Sequence, residues 1–101
     1  MFGLIGKMRV QPGQRDTLIA LLLKGTEGMP GCLNYVVAKD PEDADAIWIT
    51  EVWDNPENHK RSLSLPAVQT TIAKARPLIA GFESHVTTEP VGGVGISSSK
   101  A

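Results

Sequence analysis

Few side chains in this sequence can exchange a proton or attack a substrate near neutral pH. They are His59, His85, Cys32, Tyr35 and whichever carboxylates the fold buries. An imidazole has a reference pKa of about 6.5, so it can act as a base at physiological pH. His59 follows Trp53 by six residues. An indole can stack on an aromatic ring and offer one N–H donor. Glu51 lies between Ile49 and Trp53 on one face of an apolar stretch. Burial there would raise its pKa and make it a candidate acid or base. A strand-end charge paired with lysine or arginine is the alternative. Tyr35 can donate its hydroxyl to a substrate, or stand half-buried with a wet tip. His85 alternates with Glu83 and Thr87 and reads as a surface or dimer-face residue. Cys32 reads as a small packing residue.

The rest of the inventory excludes more than it offers. One cysteine and two histidines cannot close a four-ligand Cys/His zinc site within one chain, and no internal disulfide is possible. No Gly-x-Gly-x-x-Gly opens a helix after a strand, and no Gly-Lys-Ser/Thr phosphate loop occurs. Ten basic residues face eleven acidic ones, without blocks of one sign. Neither nucleic acid nor a membrane is an expected partner. The longest apolar run, Leu18 to Leu23, is far short of a membrane span. With no apolar signal segment at the N-terminus, the expected location is cytoplasmic.

The candidate residues depend on elements that the hydrophobic pattern predicts. Phe2 to Val10 alternates as a strand, with Phe2, Leu4, Met8 and Val10 opposite Ile5, Lys7 and Arg9. A helix is expected over about 13–28, with Leu18, Leu21, Leu22 and Gly25 on one stripe, widened by Ile19 and Leu23. Cys32 to Lys39 and Ala46 to Trp53 read as an antiparallel hairpin around the polar turn 40–45. In the first of these, Leu33, Tyr35 and Val37 are expected on one face and Cys32, Val36 and Ala38 on the other. Asn55-Pro56-Glu57 is a helix start: a capping side chain, a proline at the first helical position and an acid in the first turn. Pro66 begins a second helical stretch with Val68, Ile72, Ala75 and Ile79 inward, which Pro77 should bend or end. A last strand is expected over Phe82 to Glu89. Residues 1–90 then form one α+β domain of order β-α-β-β-α-β, the ferredoxin-like arrangement of a four-stranded antiparallel sheet with helices on one face. Residues 91–101 are small and polar and are expected to be a flexible tail.

Two strands conflict with helices on a single face. In the third, Ile47, Ile49 and Trp53 lie on one side and Ala46, Trp48 and Val52 on the other, and the second strand is apolar on both sides too. Such strands belong in sheets covered twice. Water against the second face would expose an apolar patch that monomers rarely carry. The expectation is a homodimer with sheets packed face to face, and Trp48 in that interface.

Four segments carry a family resemblance: Val10-Gln11-Pro12-Gly13, Pro30-Gly31-Cys32-Leu33-Asn34-Tyr35, Thr50-Glu51-Val52-Trp53 and Ser62-Leu63-Ser64-Leu65-Pro66-Ala67-Val68. In order and spacing, over about residues 2–90, the chain resembles the antibiotic biosynthesis monooxygenase family, which includes quinol monooxygenases. The resemblance implies a dimeric α+β barrel with a pocket in each subunit between sheet and helices. For some members it implies oxygenation of electron-rich phenols or anthrones with neither metal nor flavin, so no cofactor is expected. It also implies that Trp53 lines the pocket; a core tryptophan is the alternative. His59 stands where the polyketide-tailoring branch has a tyrosine that looks functional, so it becomes the candidate base; an exposed helix histidine is the alternative.

The sequence also departs from the family. Ser62 stands where many relatives have histidine. Serine can donate a hydrogen bond to a substrate but is no base near neutral pH without help. Ile49 replaces an asparagine of the polyketide branch. Gly6, Ser62 and Ile72 stand where the haem-degrading branch has its asparagine, tryptophan and axial histidine, which disfavours haem degradation. The leading expectation is an oxygenase acting on a small quinol, phenol or anthrone with dioxygen. Its site would comprise His59 and Trp53 as catalytic residues and Tyr35, Glu51 and Ser62 as substrate-binding residues, with no metal. A proton-transfer isomerase on the same barrel and a non-catalytic, stress-responsive binding dimer are the alternatives.

Overall fold

A computed structural model describes residues 1–96. The order is β1 (Phe2–Val10), α1 (Arg15–Gly25), β2 (Cys32–Lys39), β3 (Ala46–Trp53), α2 (Pro56–Ser62), α3 (Pro66–Ala75), a 3-10 turn (Arg76–Leu78) and β4 (Ile79–Thr88). All pairings are antiparallel and the sheet order is β2-β3-β1-β4, the ferredoxin-like α+β fold. Residues 97–101 of the expected tail lie outside the described residues.

The helices are set by local chemistry at their ends. Asn55 caps α2 by accepting the Asn58 N–H at 2.8 Å, and Pro56 follows at the first helical position. Thr26 closes α1: its hydroxyl and its N–H both donate to the Leu22 carbonyl, at 2.7 and 3.1 Å. Pro77 cannot donate the next helical hydrogen bond, and α3 gives way to the 3-10 turn.

The core lies on the side of the sheet that carries the helices, in two clusters. Val10, Leu18, Leu22, Ile47, Ile49 and Ala75 form one; Met29, Trp53 and Val68 form the other. Tyr35 packs against both. Burying side chains of this size contributes about 1.5–3 kcal/mol each.

Four local expectations are corrected. Ile79 is the first residue of β4, opposite Val10, rather than on the inner face of α3. The 3-10 turn reverses the chain three residues earlier than the apolar pattern indicates. Leu23 is half exposed, so the α1 stripe is narrower than expected. Cys32 sits opposite Trp53 and packs with it, because a register shift makes Leu33 the extra residue between Cys32 and Asn34. A second shift leaves Glu83 unpaired between Ser84 and Phe82. Its carboxylate reaches Lys7 and Arg9 on the open face, while His85 lies opposite Gly6 on the helix-bearing side.

That open face is half apolar, half charged. Val36 and Val86 stand about half exposed on it. At one end Lys7 pairs with Asp40 and Glu83, and Arg9 with Asp43 and Glu83. Trp48 donates its indole N–H to Asp40 at 2.9 Å and lies beneath Lys7. The Glu42 N–H, which donates to Asp40 at 2.8 Å, together with these contacts holds the Asp40 carboxyl below its ordinary value, and Arg9 foremost does the same for Asp43 and Glu83.

Gly31 joins the β2 entry to α2. Its φ is +81°, and a Cβ there would lie 2.5 Å from Asn58 Nδ2 and 2.8 Å from Asp54 Oδ1. Its carbonyl accepts the Asp54 N–H at 3.0 Å. Gly31→Ala therefore meets both the left-handed penalty and the helix that carries His59. Urea denaturation should show a loss of about 1–3 kcal/mol. An unchanged midpoint would show that this contact is not tight.

Candidate active site

A cavity of about 590 Å³ lies between the sheet and the helices. Trp53, Glu51, Tyr35, His59 and Ser62 all line it. The strand period aims Glu51 and Trp53 at this side of β3. Tyr35 is the cross-strand partner of Glu51, so phenol and carboxylate share one row of the sheet. Asn55 starts α2 so that its first full turn brings His59 over the same place.

Glu51 is the hub. Trp53 Nε1 donates to Glu51 Oε1 at 2.9 Å, and His59 Nε2 stands 3.9 Å from the same oxygen. The second contact is too long for a hydrogen bond but close enough for an ion pair once the imidazole is protonated. The His59 ring lies 5.5 Å from both Trp53 and Phe2, edge-on to the indole. Its side chain is 24% exposed, so it is not a solvated helix histidine. Trp53 is 1% exposed: it is both core and cavity wall. Its one N–H is already given to Glu51, leaving none for a bound molecule.

Burial pushes the Tyr35 phenol well above the ordinary tyrosine range, and the nearby Glu51 charge adds to this. Tyr35 therefore stays neutral at physiological pH and can only give or accept a hydrogen bond there. Burial also pushes the Cys32 thiol up, which makes it a poor nucleophile. Ser62 is 4% exposed, and its hydroxyl donates to the His59 carbonyl at 2.6 Å. Its proton thus holds the backbone of the histidine. Among the described residues no three His, Cys, Asp or Glu side chains gather as a metal site. No helix there is long and apolar enough to cross a membrane.

The model of the antibiotic biosynthesis monooxygenase family matches residues 1–74. The chain belongs to that family. A structure from Chloroflexus aurantiacus bearing this family's name is 68% identical, covers 95% of this chain and 98% of its own, and superposes with a TM-score of 0.93. One from Deinococcus radiodurans, of the same family name, is 26% identical over 93% of this chain and 96% of its own, with a TM-score of 0.75. A Pseudomonas aeruginosa structure, 17% identical over 90% and 94%, shares the fold with a TM-score of 0.77. No curated protein matches the chain.

This member of the family thus gathers all five sequence candidates around one cavity. Sequence reasoning missed Met8, Ile72, Arg76 and Phe82, which line it as well. Met8 and Ile72 carried a signal, since both lie on inward faces. Arg76 and Phe82 carried none: Pro77 marked the break after the helix, but nothing in the spacing showed that it would turn both residues to the cavity.

Tyr35 is the chain's single tyrosine, so its titration is directly readable. The native tyrosinate band should appear with a midpoint above the model-peptide value of about 10. Stability from this group is present below the unfolded value of about 10 and lost as pH rises through the folded value. Glu51→Gln should lower the midpoint, because a negative neighbour is removed. A native midpoint at or below about 10 would contradict the buried placement.

Proposed function

We propose that the chain is a monooxygenase that oxidises a small phenol, quinol or anthrone-type molecule with dioxygen, using electrons from the substrate itself. The observation that carries this reading is the convergence of His59, Glu51 and neutral Tyr35 in a largely apolar cavity walled by Trp53. Triplet oxygen does not react in one concerted step with a closed-shell organic molecule. An ionised phenol or enol can pass it one electron.

The chain's residues serve that ionisation. His59 Nε2 takes the substrate proton, and Glu51 stabilises the imidazolium that results. The Tyr35 hydroxyl donates to the substrate oxyanion. Trp53 positions Glu51 through its N–H, and Ser62 positions His59 through the backbone. The anion reduces dioxygen to superoxide, the two radicals combine to a peroxide anion at carbon, and the His59 imidazolium returns its proton to give the hydroperoxide. Loss of water then gives the quinone, so an anthrone consumes one dioxygen and releases one water. The apolar lining excludes bulk water from the radical pair.

Oxygen uptake with a panel of quinols and anthrones, chelator present, tests the reading. Turnover above the spontaneous rate is expected, falling by roughly 10²-fold or more in His59→Ala. An unchanged rate in that variant would remove His59 as the base. A base and a neutral donor also suit a proton-transfer isomerase. Activity that persists under nitrogen would select that reaction instead.

The reading includes a homodimer packed through the open sheet face. β2 and β3, apolar on both sides, with Val36 and Val86 half exposed, support it. Sedimentation should give twice the 10.8 kDa chain mass at micromolar concentration. A single-chain mass there would contradict it.

A further inference from the structure

The inner end of the cavity is acidic and aromatic; its other end has different chemistry. Arg76 and Phe82 line it there. Phe82 is 72% exposed, a degree that packing alone does not explain. The chain's other arginines are engaged: Arg9 with Asp43 and Glu83, Arg15 with the carbonyls of Asp40 and Asp43, Arg61 with Asn58. Arg76 forms no ion pair among the described residues. Its backbone is nevertheless well fixed. Its N–H donates to the Ile72 carbonyl, Pro77 follows it, and the Leu78 carbonyl accepts the Gln11 N–H at 2.8 Å.

The register gives the span between the two ends. Glu51 pairs with Leu4 of β1, and Phe82 pairs with Met8. Four residues of strand separate those rows, or about 13 Å at roughly 3.3 Å per residue. Among the described residues that line the cavity, Arg76 is the only arginine or lysine and Glu51, at the far end, the only carboxylate. An anionic group would be repelled from Glu51 and drawn to Arg76, which fixes the direction of entry.

Resting on the reading of the inner end as the reaction site, we infer that Arg76 and Phe82 form a carboxylate subsite, and that the substrate is an aryl acid. Its phenolic or enolic oxygen sits by His59 and its carboxylate at the Arg76 end of that span. The guanidinium fork takes the carboxylate by paired hydrogen bonds, and the Phe82 ring lies against the substrate's outer ring. Met8 and Ile72 cover the apolar middle.

The test compares 4′-hydroxybiphenyl-4-carboxylic acid with its carboxamide, a neutral molecule of the same length. Kd values are read by tryptophan fluorescence under nitrogen, where no oxidation occurs. The acid should bind about fivefold or more tightly than the amide at low salt, with the ratio shrinking at high salt. Arg76→Gln should bring the ratio to about one, and Arg76→Lys should restore part of it. His59→Ala should keep the acid preference. An acid that binds no better than the amide, a ratio unchanged in Arg76→Gln, or no binding of the acid at millimolar concentration would each overturn the subsite. Acid preference without any oxygen uptake would sink the oxygenase reading alone. Turnover of neutral quinols without acid preference would sink the subsite alone.

Discussion

Glu51 puts a carboxylate on the helix-bearing side of β3, between Ile49 and Trp53 along the strand and between Leu4 and Tyr35 across it. A polar group set among apolar neighbours costs about 1–3 kcal/mol when it lacks a partner, and a charged one more. The local fold supplies partners. Trp53, two residues on, turns its N–H back to the carboxylate; α2 starts at Asn55 and carries His59 to within 3.9 Å of it. Within α2 the Ser62 hydroxyl donates to the His59 carbonyl, and ahead of it the Gly31 carbonyl accepts the Asp54 N–H.

The period of two explains how thin strands serve two purposes. Along β3, Ile47, Ile49, Glu51 and Trp53 face the helices, while Ala46, Trp48, Thr50 and Val52 face away. The residues proposed for chemistry and those proposed for association thus alternate along one strand. Replacing an outward residue leaves the composition of the cavity unchanged. It can still disturb the site through the register, because a slip by one residue would exchange the two sets. The charged end of the open face restricts such a slip: Lys7, Arg9, Asp40, Asp43 and Glu83 satisfy one another only in the observed alignment.

Much of this was legible in the residues because it is local. Alternation gave β1, β2 and β3, and Asn55-Pro56 marked the start of α2 through capping chemistry alone. The register shifts were not legible. Leu33 and Glu83 look like ordinary strand residues, and only the partner strand shows each to be the extra one. Ile79 continues the helical stripe of α3 in sequence, yet Pro77 ends that helix and Val10 claims Ile79 for the sheet. The same turn explains the unseen cavity mouth. Arg76 reads as the basic last turn of a helix and Phe82 as the first apolar residue of a strand; nothing in their spacing brings them together. Of the site itself, the resemblance singled out Trp53 and His59. The sharing of one Glu51 oxygen between them is a three-dimensional fact.

That sharing also orders the roles within the site. A tryptophan whose N–H is committed to a carboxylate cannot orient a substrate oxygen by donating to it. A serine whose proton holds a backbone carbonyl cannot do so either. The free donor that remains beside Glu51 is the Tyr35 hydroxyl, and burial keeps its proton in place. His59 Nε2 stands 3.9 Å from the Glu51 oxygen that Trp53 already holds. Under the proposed reading, an imidazolium formed there would face that carboxylate without any movement of the fold.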